Sequence, residues 1–494
     1  MKRISDNQKM FVLILAGLAL FEALSFAGYF NPSFTYLGAL IILLGALFLS
    51  LEDPFYGFLI IIVELLVGSQ GYLFWLGEGT DRISLRIGLW IVVMAVWTGK
   101  EIFSFIKHRK ISKQLKEFPY YKPLGLLILA IAIATVIGYF RSNDLALLFD
   151  EFKRWVFLIT IVPLFITFKA TSKQRLLLIA LASAGLWIAL KSFALLFIFS
   201  HEMPLTESLY SWTRLNLLGE ITRLPNGFSR VFLQSQVFVI PSFFISLAIF
   251  VKKLRDAKWK FVRSTYSSAF AASLFLSVIL ISLSRSFWLG AVLGLILASI
   301  TAILYFKPKI RILPLLALYG LVIALISSLM LYASVRFPFP KPISDISASL
   351  ITDRATEFEA GAASRWALLP IMKAAIAKHP IEGSGLGKTL TYITSDPRVR
   401  EHSPDGSYTT HAFEWGWLDL WLKLGLLGIA AIIWLLFSIG KSAVQKIKTK
   451  PILAFPVLAA LISLAALNMF TPYLNHPLGF GYLAILMVLA NPDS

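Results

Sequence analysis

Apolar runs of roughly 20 residues, the helix length that crosses about 30 Å of hydrocarbon, follow one another from one end of this chain to the other. Fourteen are readable, near 10-29, 34-51, 55-74, 87-106, 122-140, 154-168, 176-199, 232-251, 266-283, 286-306, 312-333, 416-440, 452-470 and 474-491. The third runs into Gly68-Ser69-Gln70-Gly71, and the sixth is short. With 57% hydrophobic and 15% charged residues, against about a quarter charged in soluble domains, lipid has to be the main solvent. A backbone in hydrocarbon must satisfy its own hydrogen bonds, so runs of this length predict helices. The expected fold is all-α: a polytopic integral membrane protein with about 14 transmembrane helices and one long outer loop containing short helices.

The formal charge of +19 would suggest nucleic acid on a soluble domain, but here its distribution is topological. Basic residues gather in alternate connections: Met1-Lys9, Lys100-Lys122, Lys169-Arg175, Lys252-Arg263, Lys307-Arg311 and Lys441-Lys450. These segments hold 26 basic and 4 acidic residues, a surplus that exceeds the charge of the whole chain. Cytoplasmic loops retain lysine and arginine, so both termini are expected in the cytoplasm, with 75-86, 141-153, 200-231, 334-415 and 471-473 outside. The first run is too long for a removable signal peptide and lacks a small-residue cleavage site, so it is expected to stay as an anchor. The expected organisation is a membrane domain of helices 1 to 11 (1-333), an extracytoplasmic loop (334-415) and a membrane domain of helices 12 to 14 (416-494). In the long loop nine basic and nine acidic residues balance, and Pro338, Pro340 and Pro342 make its entrance stiff. A connection of that length usually carries function.

The chain has no cysteine, which excludes disulfides, thiolate catalysis and cysteine metal sites. Chemistry falls to carboxylates, arginines, histidines, hydroxyls and the backbone. Arg285 occupies a tight outer turn between the ninth and tenth runs, and Arg230 immediately precedes the eighth. Either can snorkel to headgroups. Together with Arg365 they make a diphosphate clamp, because guanidinium binds phosphate bidentately and stays charged. The segment from Ser364 to Pro380 reads as a helix, with Pro370 expected in its first turn or at a kink. Gly383-Ser384-Gly385-Leu386-Gly387 follows, either a turn required by geometry or a row of bare N–H groups for an anion. Its continuation into Lys388-Thr389 is not a nucleotide loop, since Glu382 stands where the motif needs glycine. Glu64, within the third run, lines a polar interior or marks an ion path. At Thr409-Thr410-His411-Ala412-Phe413-Glu414-Trp415-Gly416-Trp417, a helix from about His411 would set His411 and Glu414 on one face. A carboxylate beside an imidazole, shielded by Trp415 and Trp417, can accept a hydroxyl proton. Two interfacial polar residues in an aromatic belt are the plainer reading.

Taken together these features resemble the O-antigen ligase and O-antigen polymerase family of bacterial envelope glycan enzymes. The resemblance rests on the many-helix layout with one long outer loop, on Ser284-Arg285-Ser286-Phe287-Trp288-Leu289-Gly290, on Arg365 followed by Lys378-His379-Pro380-Ile381-Glu382-Gly383-Ser384-Gly385-Leu386-Gly387, and on Gly425-Leu426-Leu427-Gly428. It covers roughly residues 225-430. One departure stands out. Ligases of this family place a His-Asn, His-Ser or His-Gln pair nine residues before Gly-x-x-Gly. Glu414-Trp415 occupies those places here, with His411 upstream, which weakens ligation relative to polymerisation.

The resemblance implies transfer of a glycan from undecaprenyl diphosphate to a hydroxyl acceptor, a lipid or another glycan, on the outer face of the cytoplasmic membrane. The partners are then this lipid-linked glycan, its acceptor and membrane lipids, with no nucleic acid and no cofactor. Outer loops lack the Asp-x-Asp pair that holds a metal in many glycosyltransferases, and Asp345, Asp353, Glu357 and Glu359 are scattered. Fixed arginines substitute for a metal by stabilising developing charge. The expected site therefore has Arg230, Arg285 and Arg365 on the diphosphate and Glu414 or His411 as base. Arg214, Arg223 and Arg354 are weaker candidates, as are Arg82 and Arg86 beside Asp81. The alternative is a flippase or exporter of lipid-linked saccharides, to which many helices and Glu64 are suited. A catalytically inactive scaffold is the third reading.

Overall fold

The computed structural model describes residues 5–77, 79, 82–109, 117–224, 227–307, 309–337 and 360–492. Asp81, the prolines at the entrance of the long loop, Asp345, Asp353, Arg354, Glu357 and Glu359 lie outside them. The chain is a mostly helical, polytopic membrane protein. In order, its helices are α1 (Asp6–Phe30), α2 (Pro32–Glu52), α3 (Pro54–Val67), α4 (Leu85–His108), α5 (Tyr121–Phe140), α6 (Leu145–Val156), α7 (Ile161–Phe168), α8 (Thr171–Ser200), α9 (Thr206–Leu215), α10 (Val239–Asp256), α11 (Arg263–Ile281), α12 (Arg285–Phe306), α13 (Leu313–Arg336), α14 (Ala360–Lys378), the single turn α15 (Pro397–Arg400), α16 (Gly416–Lys446), α17 (Pro451–Leu467) and α18 (Pro477–Ala490). Among the described residues, ten helices are long and apolar enough to cross a membrane. The third, thirteenth and fourteenth apolar runs form shorter helices, α3, α17 and α18.

The sixth run is broken into α6, a 3-10 stretch at Phe157–Thr160, and α7. Pro163 has no N–H for the Ile159 carbonyl, which is where the regular ladder fails. Tight corners elsewhere are written locally. Asn31-Pro32 and Asp53-Pro54 each place a side-chain acceptor and a helix-starting proline together, and Asn31 and Asp53 accept from Ser33 N (3.0 Å) and Phe55 N (2.9 Å).

The burial pattern departs from that of a soluble bundle in its apolar exterior. Phe103, Phe140 and Leu321 are exposed, as lipid-facing side chains should be, while small and hydroxyl residues fill contacts between helices. Ser463 Oγ donates to Gly290 O at 2.7 Å, and a Cβ at Gly294 would sit 2.4 Å from that hydroxyl. α12 and α17 therefore pack backbone to backbone.

Among the described residues, three buried ionic clusters cross the helical layer. Lys191 Nζ meets Glu22 at 2.6 Å, joining α8 to α1. Arg86 Nε and Nη2 hold both oxygens of Glu64 at 2.8 and 3.0 Å, and its Nη1 donates to Ser69 O at 2.7 Å. Glu64, read from sequence as a polar-path residue, is thus a neutralised anchor for the turn that ends α3. The third joins Lys423 to Asp419 and Glu151, each at 2.7 Å.

Among the described residues, three antiparallel strand pairs decorate the helices: β1 (Trp75–Leu76) with β2 (Ile83–Ser84), β3 (Gly219–Arg223) with β4 (Ser229–Leu233), and β5 (Leu390–Ile393) with β6 (Ser407–Thr410).

Candidate functional site

The hairpin β3–β4 puts Glu220 opposite Phe232 and Thr222 opposite Arg230, so these four share one face. Arg230 folds over the Phe232 ring, 5.2 Å from its centroid, and Nε donates to Ser282 O at 2.8 Å. That carbonyl ends α11, where Leu283 turns the chain with φ of 43°. Arg285 then opens α12 as the turn reading expects.

Arg365 comes from α14 and pairs through Nε with the carboxylate of Glu414. Its backbone is fixed too, since Trp415 Nε1 donates to Arg365 O at 2.9 Å. Trp415 packs edge-on to Trp366 and against Phe470, at 5.3 and 5.4 Å between centroids. Trp415 is therefore anchored in protein, whereas Trp366 stays exposed.

Electrostatics ties the three arginines together. Burial, then the charge of Arg285 and that of Arg230, hold Arg365 below the ordinary guanidinium value. Burial lowers Arg230 as well, with Glu220 opposing and Arg285 adding to the shift. Mutual repulsion among guanidiniums that remain charged makes the site electropositive, and the Glu414 carboxylate offsets part of that charge. Among the weaker candidates, Arg86 is consumed by Glu64, Arg223 pairs with Glu202 at 2.6 Å, Arg214 lies 3.7 Å from Glu220, and Arg82 covers Tyr72 and Trp75.

Two expectations are corrected. His411 and Glu414 do not share a helical face, because β6 ends at Thr410 and α16 begins only at Gly416. The intervening bend divides the pair: Glu414 goes to Arg365, whereas His411 lines a small cavity of about 70 Å³ with Glu151, Asp419 and Lys423. Burial, then the Lys423 charge against the opposing Glu151, lowers the His411 pKa below the ordinary imidazole value. Pro370 stands inside α14, the second of the two positions expected for it.

Nor is the glycine turn an anion cradle, because its N–H groups are spent inside the protein. Ser384 N and Gly385 N donate to Leu422 O (2.6 Å) and Lys423 O (3.2 Å), Leu386 N to Ala134 O (3.0 Å), and Gly387 N to Glu151 Oε2 (2.9 Å). Residues that sequence reasoning passed over clamp this turn. Arg141 donates to Gly383 O, His379 Nδ1 and Glu382 Oε1 at 2.5, 3.0 and 2.9 Å, and Asn143 to Ser384 O and Leu386 O at 3.0 and 2.8 Å. Asp419 and Lys423 also went unremarked, although opposite charges four residues apart in an apolar helix are a legible signal. Among the described residues, no three His, Asp or Glu side chains gather to hold a metal ion.

Residues 270–433 match the family model of the O-antigen ligases. They run from within α11 through α12, α13 and α14 into α16, and so include Arg285, Arg365, His411, Glu414 and the glycine turn. No curated protein matches the chain significantly.

Proposed function

Residues 270–433 match the family model of the O-antigen ligases, and we propose that the protein transfers a glycan from undecaprenyl diphosphate to a hydroxyl acceptor on the outer face of the cytoplasmic membrane, in polymerase-like or ligase-like synthesis of a surface polysaccharide. One observation carries the reading. Guanidiniums from β4, from the start of α12 and from α14 share a single electrostatic site, with a carboxylate already seated on one of them.

The chemistry follows from that arrangement. Arg230, Arg285 and Arg365 hold the diphosphate of the lipid-linked donor. The acceptor oxygen bonds to the anomeric carbon as the bond from that carbon to the diphosphate oxygen breaks. The electron pair leaves with undecaprenyl diphosphate, whose added negative charge the guanidiniums stabilise without a metal. The acceptor proton passes to Glu414. Diphosphate competes with this carboxylate for Arg365, so donor binding frees the base beside the bond that reacts. The lowered His411 pKa favours a second reading in which neutral imidazole takes that proton.

In Arg285→Ala, glycan transfer is expected to vanish while the protein stays inserted and monodisperse in detergent. Normal product from that variant would remove the clamp. Deletion in the host assigns the subclass: shorter chains mean polymerisation, and full-length unattached chains mean ligation.

A further inference from the structure

A cavity of about 380 Å³ opens beside the β3–β4 hairpin, bordered by Gln70, Gln234, Phe232, Arg214 and Glu220. It falls within the range of small-ligand sites, about 300 to 1,000 Å³. Glu220 and Phe232 are cross-strand partners, and Arg230 lies on the same hairpin face, stacked on Phe232. The cavity therefore adjoins the arginine site.

Its lining is arranged rather than incidental. Ser69 Oγ donates to Leu218 O at 2.8 Å, and Gln234 N donates to the same carbonyl at 3.0 Å. This carbonyl brings Gln70 and Gln234, distant in sequence, to one cavity. The turn carrying Gln70 is held from below by Arg86 on Ser69 O, and Arg86 is held by Glu64. A buried ion pair thus serves to position a half-buried amide.

We propose that this cavity binds the saccharide of the lipid-linked donor, and that it takes a neutral, hydroxyl-rich or acetamido sugar. The inference rests on the arginine site holding the diphosphate. A sugar bonded to that diphosphate must lie next to it, and Phe232 of the cavity wall carries Arg230 on its ring. The side chains suit the ligand. Each glutamine amide offers a donor and an acceptor, as a hydroxyl does. Phe232 supplies an apolar surface for a sugar face, and Arg214 with Glu220 adds no net charge. The smaller cavity at His411 is less suited, because Lys423 is already ion-paired with Asp419 and Glu151 and donates to His411 O, and Asn475 donates to Asp419 Oδ2 at 2.6 Å.

The test uses the full-length protein in detergent with two probes. Methyl glycosides of glucose, galactose, mannose, rhamnose, N-acetylglucosamine and glucuronic acid are screened by saturation-transfer NMR, and farnesyl diphosphate binding is measured by calorimetry. At least one neutral glycoside is expected to give signal. Gln70→Leu and Gln234→Leu should each weaken it, by up to about tenfold for one lost hydrogen bond, with farnesyl diphosphate binding unchanged. No neutral glycoside signal, a preference for the glucuronide, or a signal indifferent to both variants overturns the saccharide site. Farnesyl diphosphate binding that is absent, or indifferent to Arg285→Ala, instead overturns the diphosphate reading beneath it.

Discussion

At the residue scale the unusual position is Glu414. A carboxylate against Arg365 neutralises one of three clustered guanidiniums, and on the proposed reading it stands where a phosphate oxygen would bind. Replacing it separates two roles. Glu414→Gln keeps the size and loses the base, so kcat is expected to fall by about 10²- to 10⁴-fold, while farnesyl diphosphate binds as well as before or better. Loss of diphosphate binding instead would make Glu414 a structural partner of Arg365. The imidazole is tested through pH. Only a neutral ring accepts a proton, and His411 titrates below the ordinary imidazole value. If it were the base, rate would hold as pH falls to below about 6.5 and drop only beneath that, and His411→Gln would abolish the drop together with the activity. With Glu414 as base, His411→Gln is expected to retain both the acid limb of the kcat profile and most of the rate.

At the scale of elements, the glycines of the two family motifs form one joint. Gly425 interrupts α16 with φ 65° and ψ −167°, a conformation essentially restricted to glycine. Its Cβ would fall 2.1 Å from Ile381 O and 2.6 Å from Gly383 N. Gly385, with φ of +85°, lies as tightly against Gly138 of α5. The break in α16 therefore receives the glycine turn, α5 closes over it, and Arg141 and Asn143 fasten it. Gly425→Ala is expected to cost about 1–3 kcal/mol from backbone strain, with a further cost from the clash. It should lower the thermal midpoint and transfer together, whereas a variant of native stability would contradict the joint. Sequence shows the spacing of these glycines but not their meeting, because Gly385, Gly138 and Gly425 are brought together only by tertiary packing. The anion-cradle reading failed for the same reason: a bare N–H is available only if no carbonyl reaches it. The hairpins escaped notice too, since strands of two to five residues leave hardly any alternation to detect.

Across the whole molecule, lipid as solvent was legible at once, because apolar length is local and additive along the chain. The arginine turn was also legible, as a charge that the hydrophobic pattern does not require. The internal polar scaffold was not. Glu22, Lys191, Arg86 and Glu151 each look like isolated charges until helices from distant stretches pair them. Such pairs are conditional on the fold, and breaking one by removing a single partner costs about 3–5 kcal/mol. Glu64→Leu should therefore destabilise strongly, and adding Arg86→Met should restore much of the loss by removing the orphaned charge. If stability stays native in Glu64→Leu, the acid has a task other than pairing, and the export reading of an intramembrane carboxylate revives. That reading differs from transfer at the molecular scale in a way that needs no mutation. An exporter moves its lipid-linked substrate between two compartments and leaves its covalent structure unchanged, whereas a transferase makes a new glycosidic bond wherever donor and acceptor meet the site. In detergent micelles there is only one compartment. Purified protein with lipid-linked donor and acceptor is expected to release free undecaprenyl diphosphate and a lengthened or newly attached glycan in equal amounts, as one bond formed for each broken requires. Unchanged donor in micelles, alongside protein-dependent passage across sealed vesicles, would reverse the assignment.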